Sequence, residues 1–128
     1  PNVVVFSLFP GVQEHIVRNV LQAKEVRGIV MRTFGSGNAP QTPWLMHALR
    51  EAARRGIVVV NISQCVSGSV EMGRYDTGYQ LKAAGIVSGY DSTVESAVTK
   101  LMFLLARHST PATIRNLMDR SLAGEISR

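Results

Sequence analysis

Three places in the sequence gather residue types that can do chemistry. The first is Gly35-Ser36-Gly37-Asn38-Ala39-Pro40, which follows an apolar run and precedes a helical pattern. A dinucleotide fingerprint needs a third glycine there for close helix–strand packing, and Pro40 occupies the position. A P-loop needs Gly-Lys-Ser/Thr, which the segment lacks. Two readings remain. One is a tight turn with glycine at positive φ and Asn38 capping it; the other is a backbone N–H nest that captures an anion or carboxylate. The second place is Cys65, in Ser63-Gln64-Cys65-Val66-Ser67-Gly68. A nucleophile elbow would read Gly-x-Cys-x-Gly, but Ser63 and Ser67 replace both glycines. His15 and His47 fall in helical patterns and His108 at a helix end, so no histidine is placed beside Cys65 as a base. A small, weakly polar strand-end residue is the simpler reading. The third is Arg32, inside the otherwise apolar Gly28–Phe34. A guanidinium is costly there unless it has a partner or lines a site. It suits either a structural ion pair or bidentate binding of a ligand carboxylate.

Other chemistries find little support. The three His are isolated, with no His-x-x-x-His or His–carboxylate cluster, so no metal site is expected. No cofactor motif is complete. The carboxylates are dispersed and form no recognisable acid–base pair. A single Cys excludes an internal disulfide framework and any multi-cysteine metal cage. The net charge, 14 basic minus 9 acidic side chains, is +5. The cations are scattered, mostly over solvated helix faces, without the interleaved aromatics of a stacking platform, so no nucleic-acid partner is expected. No apolar run reaches the ~18–20 residues that span a bilayer, and Pro1–Phe9 lacks a signal-peptide pattern. The 128 residues suit one domain, and the start at Pro1 without Met reads as a piece of something longer.

The elements that must position these residues alternate at short spacing. Asn2–Phe9 has the β-branched, apolar composition of a strand buried on both faces. After Pro10-Gly11, the residues Val12, Ile16, Val17, Val20 and Leu21 recur at helical spacing. Gly28–Phe34 is a second strand. Thr42-Pro43 opens a helix whose apolar face is Leu45, Leu49 and Ala52/Ala53; Gly56 stops it, with Arg54 and Arg55 suited to a helix C-terminus. Ile57–Ile62 is a third strand. A short helix is expected over Thr77–Ala84 and a short fourth strand over Ile86–Ser88. Ser92 and Glu95 read as a capping box for a helix carrying Val94, Ala97, Val98, Leu101, Leu104 and Leu105 inward. Thr110-Pro111 repeats the cap-plus-proline device before Ile114, Leu117 and Met118. Such alternation predicts a small doubly wound, Rossmann-like α/β domain of about four parallel strands with helices on both faces. Ligands in such folds sit beyond the carboxyl ends of the strands, which is where Arg32–Pro40 and Asn61–Met72 fall.

Taken together, several motifs resemble one family. Arg32–Pro40 (RTFGSGNAP), Arg55–Asn61 (RGIVVVN) and Gln64-Cys65 are similar to the C-terminal domain of type I, cytoplasmic L-asparaginases. Gly73–Gly78 (GRYDTG), Ala84–Gly89 (AGIVSG) and Leu122–Glu125 (LAGE) extend the likeness, in order, over essentially all of 1–128. The resemblance implies hydrolysis of L-asparagine to aspartate and ammonia through an acyl-enzyme on a threonine. That threonine belongs to a Thr-Gly-Gly-Thr motif in a larger N-terminal catalytic domain, absent from this chain. A second Thr-Asp-Lys set, which follows a Gly-Thr-Asp-Thr motif there, is absent too. No residue here is therefore expected to be catalytic, and the chain alone is expected to be inactive.

The resemblance also implies an allosteric asparagine site on this domain, in a cytoplasmic homodimer or dimer of dimers. Its arginine falls on Arg32 and its Thr-Gln-Cys loop on Ser63, Gln64 and Cys65, with Ser63 keeping the hydroxyl and losing a methyl; Asn38 is a further lining residue. Two rivals stand beside this reading. One is a purely structural, dimerising domain without effector binding; the other is a free-standing α/β sensor of a small ligand.

Overall fold

The computed structural model describes residues 2–7, 14–33, 43–63, 82–89 and 92–119. Four strands, β1 (Asn2–Ser7), β2 (Val26–Thr33), β3 (Val58–Ser63) and β4 (Val87–Ser88), form one sheet in the order β1-β2-β3-β4. All three pairings are parallel. Among the described residues, the helices packed on the sheet are α1 (Glu14–Gln22), α2 (Pro43–Arg54), α3 (Val94–Arg107) and α4 (Pro111–Met118). This is the expected α/β architecture, with helices on both faces of the sheet.

Side-chain alternation along the strands divides the core in two. Ile29, Met31, Val59 and Ile86 pack against Val17 and Leu21 of α1 and Leu45, Ala48, Leu49 and Ala52 of α2. Val30, Val58, Val60, Ile62 and Val87 pack against Ala97, Leu101, Leu104 and Leu105 of α3 and Ile114 and Met118 of α4. Each leucine so buried contributes roughly 1.5–3 kcal/mol. Gly28 lets α3 settle onto the sheet: a Cβ at that position would lie 2.7 Å from Leu101 Cδ2 and 3.0 Å from Leu105 Cδ1. Gly56 ends α2 at φ +90°, a conformation that favours glycine.

Several sequence expectations need correction. Among the described residues β1 is an edge strand rather than one buried on both faces, and Val5 on it is 39% exposed. It ends at Ser7, and Leu8 and Phe9 lie outside the described residues, as does most of the helix expected over Thr77–Ala84. Ile16 is exposed, because α1 turns Val17 and Leu21, four residues apart, toward the core. The α3 cap is Thr93, whose hydroxyl accepts the Ser96 N–H at 3.1 Å. Ser92 instead donates its own N–H to the Gly89 carbonyl, and the third helical residue is Ser96 rather than Glu, so no reciprocal box forms. Thr110 and Pro111 take the expected cap and first-turn positions at α4, but the Thr110 hydroxyl makes no capping bond. Arg55 reaches the carboxyl end of a different helix from its own, donating from Nη2 to the Leu21 carbonyl of α1.

Candidate functional site: the carboxyl edge of the sheet

All strands of a parallel sheet end on the same edge, so the last residues of β1, β2, β3 and β4 share a rim. The centre of the sheet is aliphatic: Val5 pairs with Val30, Val30 with Val60, and Val60 with Val87. One to three residues further on, the register turns polar. Met31 lies opposite Asn61 and Asn61 opposite Ser88; Ser7 lies opposite Arg32 and Arg32 opposite Ile62; Thr33 lies opposite Ser63.

Arg32 shares its face with Gly28 and Val30 by alternation, the α3/α4 face, and is half-buried. It engages a partner in the structure and is not a lone charge in an apolar strand. Asn61 falls on the opposite face and is fully buried, with Ser88 beside it 8% exposed. The Asn61 carbonyl accepts the Gly89 N–H at 2.8 Å, extending the ladder one residue past β4. A Cβ at Gly89 would lie 2.4 Å from Ile62 Cγ2, so the backbone leaving β4 passes hard against the residue opposite Arg32.

Of the five residues expected at the effector site, the structure places Arg32 and the backbone of Ser63 on neighbouring strands, one register step apart. Asn38, Gln64 and Cys65 lie outside the described residues. Asn61 opens the Asn61–Met72 segment expected at the carboxyl ends, and Ser88 is a rim residue that pattern reading passed over. The signal for Asn61 was present, since it interrupts the aliphatic run Ile57–Ile62 that leads into and along β3, and a buried carboxamide is costly unless satisfied. The half-buried guanidinium of Arg32 suits recognition of a small polar ligand, while Asn61 and Ser88 are buried on the other face of the sheet. Among the described residues, no group of three His, Cys, Asp or Glu side chains could hold a metal ion. No described helix is long and apolar enough to cross a membrane.

This four-stranded parallel domain with a polar carboxyl rim is a known domain class. Residues 2–118 match the Glutaminase/Asparaginase C-terminal domain, and the chain belongs to that family. It is 45% identical over 123 residues to L-asparaginase 1 of Escherichia coli strain K12, covering 96% of this chain and 36% of that protein. It is 40% identical over 128 residues to the 60 kDa lysophospholipase of Mus musculus, covering 99% of this chain and 22% of that protein. Among solved structures, L-asparaginase I from Vibrio cholerae superposes with a TM-score of 0.92 at 40% identity, covering 98% of this chain and 38% of that one. The chain therefore spans little more than a third of the length of these asparaginases.

Proposed function

We propose that this chain is the effector-binding and assembly domain of a cytoplasmic, homo-oligomeric L-asparaginase. The full-length protein hydrolyses L-asparagine to L-aspartate and ammonia, and its N-terminal domain supplies the threonine nucleophile. The observation that carries the reading is Arg32: a half-buried guanidinium on the carboxyl rim of a parallel sheet, one register step from Ser63. Arg32 clamps the α-carboxylate of the effector asparagine, and Asn38, Ser63, Gln64 and Cys65 supply amide, hydroxyl and backbone groups to its amino and amide ends. The effector activates by binding one arrangement of the subunits better than another.

The test is asparagine kinetics of the full-length protein with Arg32 intact and replaced. Arg32→Ala should abolish sigmoidal dependence on asparagine while the enzyme still turns over at high substrate, and Arg32→Lys should weaken activation without unfolding the rim. Unchanged cooperativity in both variants refutes the role given to Arg32. The likeness to a protein named as a lysophospholipase makes a parallel assay on a lysophospholipid informative. Hydrolysis of that substrate without asparaginase activity would overturn the assignment of the reaction.

A further inference from the structure

A polar concavity lies away from the carboxyl rim, between the outer faces of α1 and α2. It has a volume of about 420 Å³ and is lined by Arg18, Leu21 and Gln22 of α1 and by His47, Glu51 and Arg55 of or just after α2. The lining is two facing stripes. Arg18 and Gln22 are four residues apart on one helix, and His47, Glu51 and Arg55 are spaced by four along the other, so each stripe looks across the groove at the other. Leu21 is buried beneath them. Crossover helices run back against their strands, so Leu21, Gln22 and Arg55, at the helix ends, mark the end of the domain opposite the rim.

The charges converge. Arg18 is steadied by Glu14, Nε to Oε2 at 2.6 Å, from outside the groove. Arg55 is steadied by its bond from Nη2 to the Leu21 carbonyl. Each guanidinium is held through one nitrogen, and among the described residues no other contact takes the remaining N–H groups of either. The one carboxylate in the lining, Glu51, is offset by Arg54, which approaches at 2.9 Å from outside. The groove therefore presents two oriented guanidiniums, an amide and an imidazole over an aliphatic floor. That combination recognises an oxyanion in bidentate fashion.

We propose that the α1–α2 groove is a binding site for a small oxyanion, a carboxylate or phosphate group, separate from the rim around Arg32. Arg18 and Arg55 grip the anion from opposite walls, Gln22 and His47 complete its hydrogen bonds, and Glu51 sets an upper limit on its charge.

The test is a titration of the full-length protein with inorganic phosphate and, separately, with acetate, followed by NMR of its amide, arginine Nε and imidazole signals. Sodium chloride holds the ionic strength constant and serves as the control anion. Saturable shifts confined to Gln22, His47 and the two arginines are expected with at least one probe, and the stronger probe identifies the preferred oxyanion. Arg18→Gln should weaken binding of that probe at least tenfold, and Glu51→Gln should strengthen phosphate binding severalfold. Because Arg55 also holds the Leu21 carbonyl, Arg55→Lys accompanies Arg55→Gln, and far-UV circular dichroism verifies that each variant is folded. Shifts that are linear in concentration, that chloride reproduces, or that survive both Arg18→Gln and Arg55→Lys undiminished would overturn the proposal.

Discussion

Replacing Gly28 by Ala tests whether the seat of α3 on the sheet is as tight as it looks. The new Cβ would sit 2.7 Å from Leu101 Cδ2, 3.0 Å from Leu105 Cδ1 and 3.1 Å from Leu101 Cγ. Ordinary carbon–carbon contact begins near ~3.5 Å, so the interface must open by roughly 0.8 Å or a leucine must leave its rotamer. Both leucines are buried, Leu101 fully, and neither can swing into solvent. Overpacking of this kind costs about 1–3 kcal/mol, and the smaller entropy of an unfolded chain with Ala offsets about 0.4–1 kcal/mol of it. The expected net loss is about 1–2 kcal/mol, or a fall in Tm of a few degrees. Urea unfolding followed by circular dichroism and by the fluorescence of Trp44, which packs in the opposite half of the core, measures it. A double-mutant cycle sharpens the reading. Leu101→Ala alone should cost about 2–5 kcal/mol through the void it leaves. The added methyl at position 28 fills part of that void, so the pair should cost less than the sum by about 1 kcal/mol. A neutral or stabilising Gly28→Ala, or a strictly additive cycle, would refute the reasoning.

Three further outcomes are expected. Thr93→Ala should cost about 1 kcal/mol by removing the α3 cap, while Ser92→Ala should change stability far less; the reverse order in urea unfolding would restore the capping box. Gly56→Ala, at φ +90°, should lose about 1–2 kcal/mol in the same assay, the cost of holding an L-residue in a left-handed turn. Asparagine should slow alkylation of Cys65, the one cysteine of these 128 residues, when the full-length protein is labelled and read by mass spectrometry. An unchanged labelling rate at saturating asparagine argues against a pocket lined by that thiol.

The alternation of apolar strands with periodic helices was legible because each element's pattern is local. β2, β3, α2 and α3 could be placed within a residue or two from periodicity and punctuation. Local patterns do not carry neighbour relations. Val3, Val4 and Val5 have the composition of a central strand, yet β1 borders the sheet, because strand order depends on residues far apart in sequence. The α3 cap was missed by one residue for a similar reason. Ser92 with Glu95 fits the box pattern, and only the turn that ties the Ser92 N–H to Gly89 moves the cap to Thr93. Arg32 stood out because a guanidinium in an aliphatic strand conflicts with its surroundings. His47, Glu51 and Arg55 did not, because a charged stripe on a helix ordinarily faces water, and only the packing of α1 against α2 makes it one wall of a groove.

The division of the core into two layers also orders the chain in time. β1, α1, β2, α2 and β3 are consecutive, and every neighbour needed for the first layer is present once β4 has been made. The second layer is different: Val30, Val58, Val60, Ile62 and Val87 belong to segments synthesised early, but α3 and α4, which cover them, come last. A nascent chain that has completed its sheet therefore still shows a bare aliphatic face, and it keeps that face until residue 118 has cleared the ribosome. A stop anywhere between Ser92 and Met118 leaves a half-roofed sheet with one sticky side. Such a product is a client for chaperones and proteases, so nonsense and frameshift lesions in this stretch should act through loss of the protein rather than through a weakened ligand site.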